Sequence, residues 1–197
     1  MKEVIWVFNM AFKNYCWAIG NTSFRVKQLN YKNELQLNYL NEFFSNHVGE
    51  NWQGNSNLQS QYYDFLTEKN FKDGTANRKD KDARELTSGL ADLGLVFRDS
   101  RKLTPVGEEL LNITSSNNFL TNNIFNISAD SFLYLKQLLK LQLVDEEIKI
   151  KPFVSLLYMI CKLGYLSKEE FTYLLPICQN VNDVKVISYK FVENRNV

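Results

Sequence analysis

The chain is short of the residues that carry most small-molecule chemistry. His47 is the single histidine among 197 residues, and it falls in a polar stretch. A serine–histidine or cysteine–histidine pair therefore has almost nothing to build on. The three cysteines, Cys16, Cys161 and Cys178, are odd in number and far apart. No two have the spacing of zinc ligands, so neither a disulfide framework nor a structural metal is expected. Free thiols suit a reducing compartment, and the expected location is cytoplasmic. The eight glycines are scattered, which excludes a glycine-rich phosphate loop. No apolar run is long enough to span a bilayer. The opening MKEVIWVFNMAF is apolar, but it carries Glu3 early and lacks a small-residue cleavage site. It reads as a strand or the lead into a helix rather than a signal peptide. These absences predict a soluble chain with no catalytic residue, no metal site and no cofactor of its own.

Charge of one sign is lacking overall: the formal net charge is +1. Its distribution is uneven. Lys13, Arg25, Lys27 and Lys32 stand in a stretch without an acid, and bases outnumber acids from Lys69 to Lys102. A near-neutral chain with two local basic patches can still grip a polyanion.

What is present is clearest from Ala83 to Leu111. Leu86, Leu90 and Leu93 make one apolar helical face. Gly94 ends that helix, since glycine enters the left-handed region without steric cost. Leu95-Val96-Phe97 and Lys102-Leu103-Thr104 read as two short strands around the polar turn Arg98-Asp99-Ser100-Arg101. Pro105 opens the next helix from its first turn. Helix, β-wing and helix in that order is a winged helix-turn-helix pattern, in which one helix enters the DNA major groove beside a basic wing.

Around this pattern, helices are expected from about Lys32 to His47, with Leu35, Tyr39 or Leu40, and Phe43 inward, and again across Tyr62, Tyr63, Phe65 and Leu66. The asparagine-rich run from Asn112 to Asn126 is the best linker candidate. Beyond it, Ser128 or Asp130 caps a helix carrying Phe132, Leu135, Leu138 and Leu139, and helical character extends to Leu143. Pro152 opens a helix with Leu156, Leu157, Ile160 and Leu163 on one side, ended by Gly164. Ser167 and Glu170 are spaced as a capping box. A short helix broken by Pro176 and a last helix from Asn182 to Glu193 complete a second helix-turn-helix pattern. The expected fold is mainly α, with two winged-helix or helix-turn-helix-like subdomains at 1–121 and 128–197, a linker at 122–127, and a small β-wing.

The candidate contacts follow from donor chemistry. Arginine matches the paired acceptors of guanine and lysine neutralises phosphate. Arg78, Lys79 and Lys81 lie at or before a helix start, and Arg84 and Ser88 share its outward face. Arg98, Arg101 and Lys102 are the wing cations. Asn21, Thr22 and Ser23 are small enough for close backbone approach, with Arg25 and Lys27 beside them. The competing reading of the helix is a solvated end with pairs such as Lys81 with Glu85. Asp130, Glu147 and Lys149 match the loose acid–acid–lysine order of metal-dependent nucleases. That spacing arises readily by chance, and the helix read through Phe132 to Leu143 leaves no sheet between the acids.

Several runs carry a resemblance. Trp17-Ala18-Ile19-Gly20-Asn21-Thr22-Ser23-Phe24-Arg25 resembles the W-x-x-G-N-T-[ST]-x-R signature of AlwI-like type IIS restriction endonucleases, relatives of the BstNBI-type nicking enzymes. Ala83-Arg84 through Leu93-Gly94-Leu95-Val96, then Leu103-Thr104-Pro105-Val106-Gly107, is similar to their A-R…L-G-[FL]-[VI]…L-T-x-x-G run. Phe132 to Leu143 resembles their F-x-x-Q-L-L-K-x-Q-[LF] segment. Lys151-Pro152-Phe153 with Gly164-Tyr165-Leu166-Ser167-Lys168-Glu169-Glu170 resembles a fourth. The resemblance implies a recognition part that reads a short asymmetric site on double-stranded DNA. It also implies a separate nuclease domain or subunit that holds Mg²⁺ and cuts to one side. This chain is expected to supply the reading part and to lack the nuclease. A winged-helix transcription regulator and a protein–protein adaptor built on winged helices are the alternatives from the residues alone.

Overall fold

The computed structural model describes residue 17 and residues 27–144 and 148–195. Among the described residues the protein is mainly helical, with one small two-stranded antiparallel sheet. It divides into two compact units, Ile19–Gln137 and a second formed by Met1–Ala18 with Leu138–Val197. Among the described residues no helix is long and apolar enough to cross a membrane.

In the first unit, α1 spans Leu29–Asn46, α2 Ser56–Glu68, α3 Lys79–Asp92 and α4 Pro105–Ser115. The α1 helix buries Asn33, Gln36, Leu37, Leu40 and Phe43. Its inward face thus includes two amides, while Leu35 and Tyr39 are only half-buried. The Asn55 side chain accepts from Leu58 N at 3.0 Å and starts α2. Phe43 stacks on His47 at 4.0 Å between ring centroids and meets Tyr62 edge-on at 5.1 Å. Phe43, Trp52, Tyr62 and Tyr63 are therefore core, whereas Tyr31, Phe97 and Phe125 are exposed.

The end of α3 is a Schellman motif. Gly94 adopts φ +69°, its N–H reaches Ala91 O at 3.0 Å, and Leu95 N reaches Leu90 O at 2.9 Å. The chain then turns back on itself. Val96 and Leu103 form a single antiparallel bridge, Phe97 N donates to Lys102 O at 2.9 Å, and Thr104 N donates to Leu95 O at 3.0 Å. The two expected strands are present only as this bridged hairpin. Thr104 caps α4 by accepting from Gly107 N, and Pro105 occupies the first turn. Gly107 cannot carry a side chain, because a Cβ there would lie 2.0 Å from Leu95 O. The hairpin is thus docked on α4 through backbone.

The fifth helix, α5, spans Ala129–Lys140. It reaches α3 through Gln137, whose Nε2 donates to Leu93 O at 2.9 Å. It stops short of the expected end at Leu143. Leu143–Val144 instead form β1, paired antiparallel with β2, Lys149–Ile150. Leu141 is buried, Gln142 exposed, Leu143 half-buried and Val144 exposed. That alternation suits a strand and hid inside a run of leucines.

In the second unit, α6 spans Pro152–Leu163 and α7 spans Val181–Arg195, with a π turn at Glu170–Leu174 and a 3-10 turn at Leu175–Ile177 between them. The capping box forms: Ser167 N donates to Glu170 Oε2 at 2.7 Å and Glu170 N to Ser167 Oγ at 3.1 Å. The core is Ile150, Met159, Leu175, Cys178, Val184 and Phe191, with Trp17 packed against it. Trp17 Nε1 donates to Cys178 O at 2.9 Å. The buried face of α6 is Pro152, Ser155 and Met159, whereas Leu157 and Ile160, expected inward, are exposed. This helix is apolar on nearly every side, so periodicity does not select its face.

Candidate nucleic-acid interface

The first unit brings most of the described candidate cations onto α3 and the hairpin that follows it. Arg78 stands at the N-cap of α3 with a well-exposed side chain. Lys79, Lys81 and Arg84 follow within two turns. Arg98 lies in the hairpin turn and Lys102 on its return limb, both exposed. Lys27 is exposed ahead of α1. Asn21, Thr22, Ser23 and Arg25 lie outside the described residues.

The helix cations are not bare. Arg78 pairs with Asp80 at 3.1 Å, Lys79 with Asp64 of α2 at 2.6 Å, and Lys81 with Glu85 at 3.6 Å. Arg84 pairs with Asp80 at 3.0 Å and also donates through Nη1 to Gln59 Oε1. Arg98 pairs with Asp92 at 2.5 Å, tying the hairpin turn to the last turn of α3. The two pairs exposed on both sides, Lys79–Asp64 and Lys81–Glu85, contribute about 0–1 kcal/mol each and weaken with salt. The Arg78 guanidinium, bonded to its carboxyl, holds Asp80 below the usual carboxylate range, and Arg84 adds to that effect.

Two candidates have other roles. Arg101 is buried and sits at φ +57°. Its Nε donates to Thr87 Oγ1 of α3 at 2.9 Å and its Nη1 to Arg98 O. Burial, then the neighbouring Arg98 charge, lowers its pKa. Arg101 pins the hairpin to α3. Ser88 is half-buried and its hydroxyl donates to Glu85 O at 2.7 Å. Arg84, expected on the same outward face as Ser88, leans instead toward Gln59 on α2.

Sequence reasoning missed Gln59, Asp64 and Asp92. The Asp80–Arg84 pair has a readable i,i+4 spacing, whereas the partnerships across α2 and α3 depend on tertiary packing and leave no local signal. Of the acid–acid–lysine trio, Asp130 belongs to the first unit, Lys149 to the second, and Glu147 falls outside the described residues. Asp130 is buried in the first turn of α5, and its Oδ1 has no hydrogen-bond partner among the described residues. Burial raises the pKa of Glu34, and the Asp130 carboxylate adds to the rise. No group of three or more histidine, cysteine or acidic side chains among the described residues is placed to hold a metal ion.

The family model described as AlwI restriction endonuclease matches residues 91–196, more than half of the chain. The matched segment begins in the last turn of α3 and takes in the hairpin and every element after it. No curated protein and no solved structure matches.

Proposed function

We propose, from the premise that this chain belongs to the AlwI restriction endonuclease family, that it is the sequence-reading part of a type IIS restriction or nicking enzyme. Its partner is double-stranded DNA carrying a short asymmetric site. The first unit acts as a winged helix, with α3 in the major groove and the 95–104 hairpin as the wing. Arg78, Lys79, Lys81 and Arg84 meet bases and phosphates from the helix, while Arg98 and Lys102 reach the backbone from the wing. Arg101 serves the same surface by fixing the hairpin. Asn21, Thr22, Ser23, Arg25 and Lys27 form a second contact in this reading. Cleavage belongs to a Mg²⁺-dependent nuclease domain or subunit, and the enzyme works in the cytoplasm.

The observation that carries the reading is the continuity of α3 with the hairpin. One rigid unit, closed by the Schellman turn, the Asp92–Arg98 pair and Arg101, presents its cations on successive elements. Selection of bound sequences from a random duplex pool tests it. A short asymmetric consensus is expected. A palindrome points to a transcription regulator, and absence of enrichment points to an adaptor; either result overturns the proposal.

A further inference from the structure

Among the cations of α3, Arg84 is held differently from the rest. Arg78, Lys79 and Lys81 each have one carboxylate partner at the surface. Arg84 has two partners on the same nitrogen: Nη1 donates to Asp80 Oδ2 and to Gln59 Oε1. Gln59 is itself fixed, being 2 % exposed, with its Nε2 donating to Trp52 O at 2.8 Å. Trp52 is in turn buried against the Tyr62 ring. The chain of contacts runs from the aromatic core through a buried amide to one corner of a guanidinium. The opposite edge, Nε and Nη2, makes no hydrogen bond or ion pair among the described residues, and the Arg84 side chain is 40 % exposed.

We infer that Gln59 is a positioning residue and that Arg84, locked by it and by Asp80, reads a guanine through its Nε–Nη2 edge. This rests on the proposed DNA-reading role of the first unit. Two parallel donors at a fixed orientation match the O6 and N7 acceptors that guanine alone presents in the major groove. Discrimination needs the fork held in place before binding, because a mobile arginine satisfies any nearby phosphate. A phosphate contact needs no such support, and the exposed lysines of α3 already supply it. Asp80 fits this division: a carboxylate beside a polyanion opposes binding in general, and it earns its place by aiming Arg84.

The test uses duplexes carrying the consensus selected by the full chain, and variants replacing each base pair in turn. Arg84→Lys keeps the charge and removes the fork. It is expected to lose about 5- to 150-fold of discrimination at one G·C position, the equivalent of about 1–3 kcal/mol, with the salt dependence of binding unchanged. Asp80→Asn is expected to tighten binding to unrelated duplex while weakening discrimination at that same position. A merely structural role would not produce these opposite signs. Gln59→Met is expected to weaken the same position. Because it removes a buried hydrogen bond, its thermal unfolding is followed in parallel, and the isosteric Asp80→Asn change at a half-buried position keeps the inference testable should Gln59→Met misfold. If Arg84→Lys leaves every position's discrimination intact, or weakens all positions equally, the inference is wrong and the wider reading stands. If the unaltered chain selects no consensus, both fall.

Discussion

Arg195 of the second unit does the opposite work to Arg78 and Arg98 of the first. In the second, Arg195 is drawn inward: Nη1 donates to Leu163 O and Tyr165 O, both at 3.1 Å, Nη2 pairs with Glu170, and the guanidinium lies 4.2 Å from the Tyr165 ring centroid. It joins the ends of α6 and α7 and anchors the capping box through a shared carboxylate. In the first, Arg78 and Arg98 are about two-thirds exposed and hold one carboxylate each. Both units leave apolar side chains exposed, Val48, Leu120 and Ile124 in the first and Tyr165 and Tyr189 in the second, while the first buries Tyr62, Tyr63, Leu37, Leu40 and Leu66 completely or nearly so. Counting basic residues does not separate the arginines that hold the fold together from those left at the surface; the internal partners of each one do.

The contrast can be attacked at several strengths. Gly107→Ala should have the largest effect. Its Cβ would collide with the Leu95 carbonyl, forcing the hairpin off α4 at a cost of about 3 kcal/mol. Hydrogen exchange should rise across residues 94–110 and stay unchanged across α6 and α7; rise in both would mean that the two regions do not behave as separate units. Arg195→Ala should cost about 2 kcal/mol, in line with hydrogen bonds to charged groups, while Arg98→Ala should cost no more than about 1 kcal/mol. Denaturant unfolding of the two variants checks the order, and equal losses would erase the distinction drawn between them. The smallest effect concerns Glu34. Its pKa is raised in the folded protein, so the protonated form is the one the fold favours. That contribution is complete below the ordinary glutamate value and is lost as pH climbs through the raised one. Glu34→Gln should therefore gain on the unaltered protein as pH rises toward neutral, and the two should converge near pH 4.5. A difference that does not change with pH would contradict the raised pKa of Glu34, and with it the burial that chiefly raises it and the Asp130 carboxylate that adds to the rise.

Much of the helical framework was legible because local chemistry dictates it. Gly94, Pro105, Gly164, Pro152 and the Ser167–Glu170 box each act through the backbone within a few residues, and each marks the boundary expected of it. The hairpin was legible as a turn, though less so as strands, since a single bridge supports it. Elements whose composition is uniform were not legible. The leucine-rich run at 132–143 conceals a change from helix to strand, and α6 conceals which side is inward. The family was legible from motifs, because short residue patterns survive where geometry is unknown. The pairing of α3's cations was readable only where both partners share one helix, as in Lys81–Glu85. Gln59 and Arg84 are 25 residues apart, and nothing in either segment announces the other.

In the proposed function α3 and its hairpin lie against the DNA. The salt dependence of duplex binding tests it most directly, because each neutralised phosphate contributes about 0.9 to the slope of log affinity against log salt concentration. Arg98 and Lys102 are exposed and can be replaced by alanine together without loss of core. The double variant is expected to fold and to show a slope shallower by about 2. A slope identical to that of the unaltered chain would place the DNA elsewhere and contradict it.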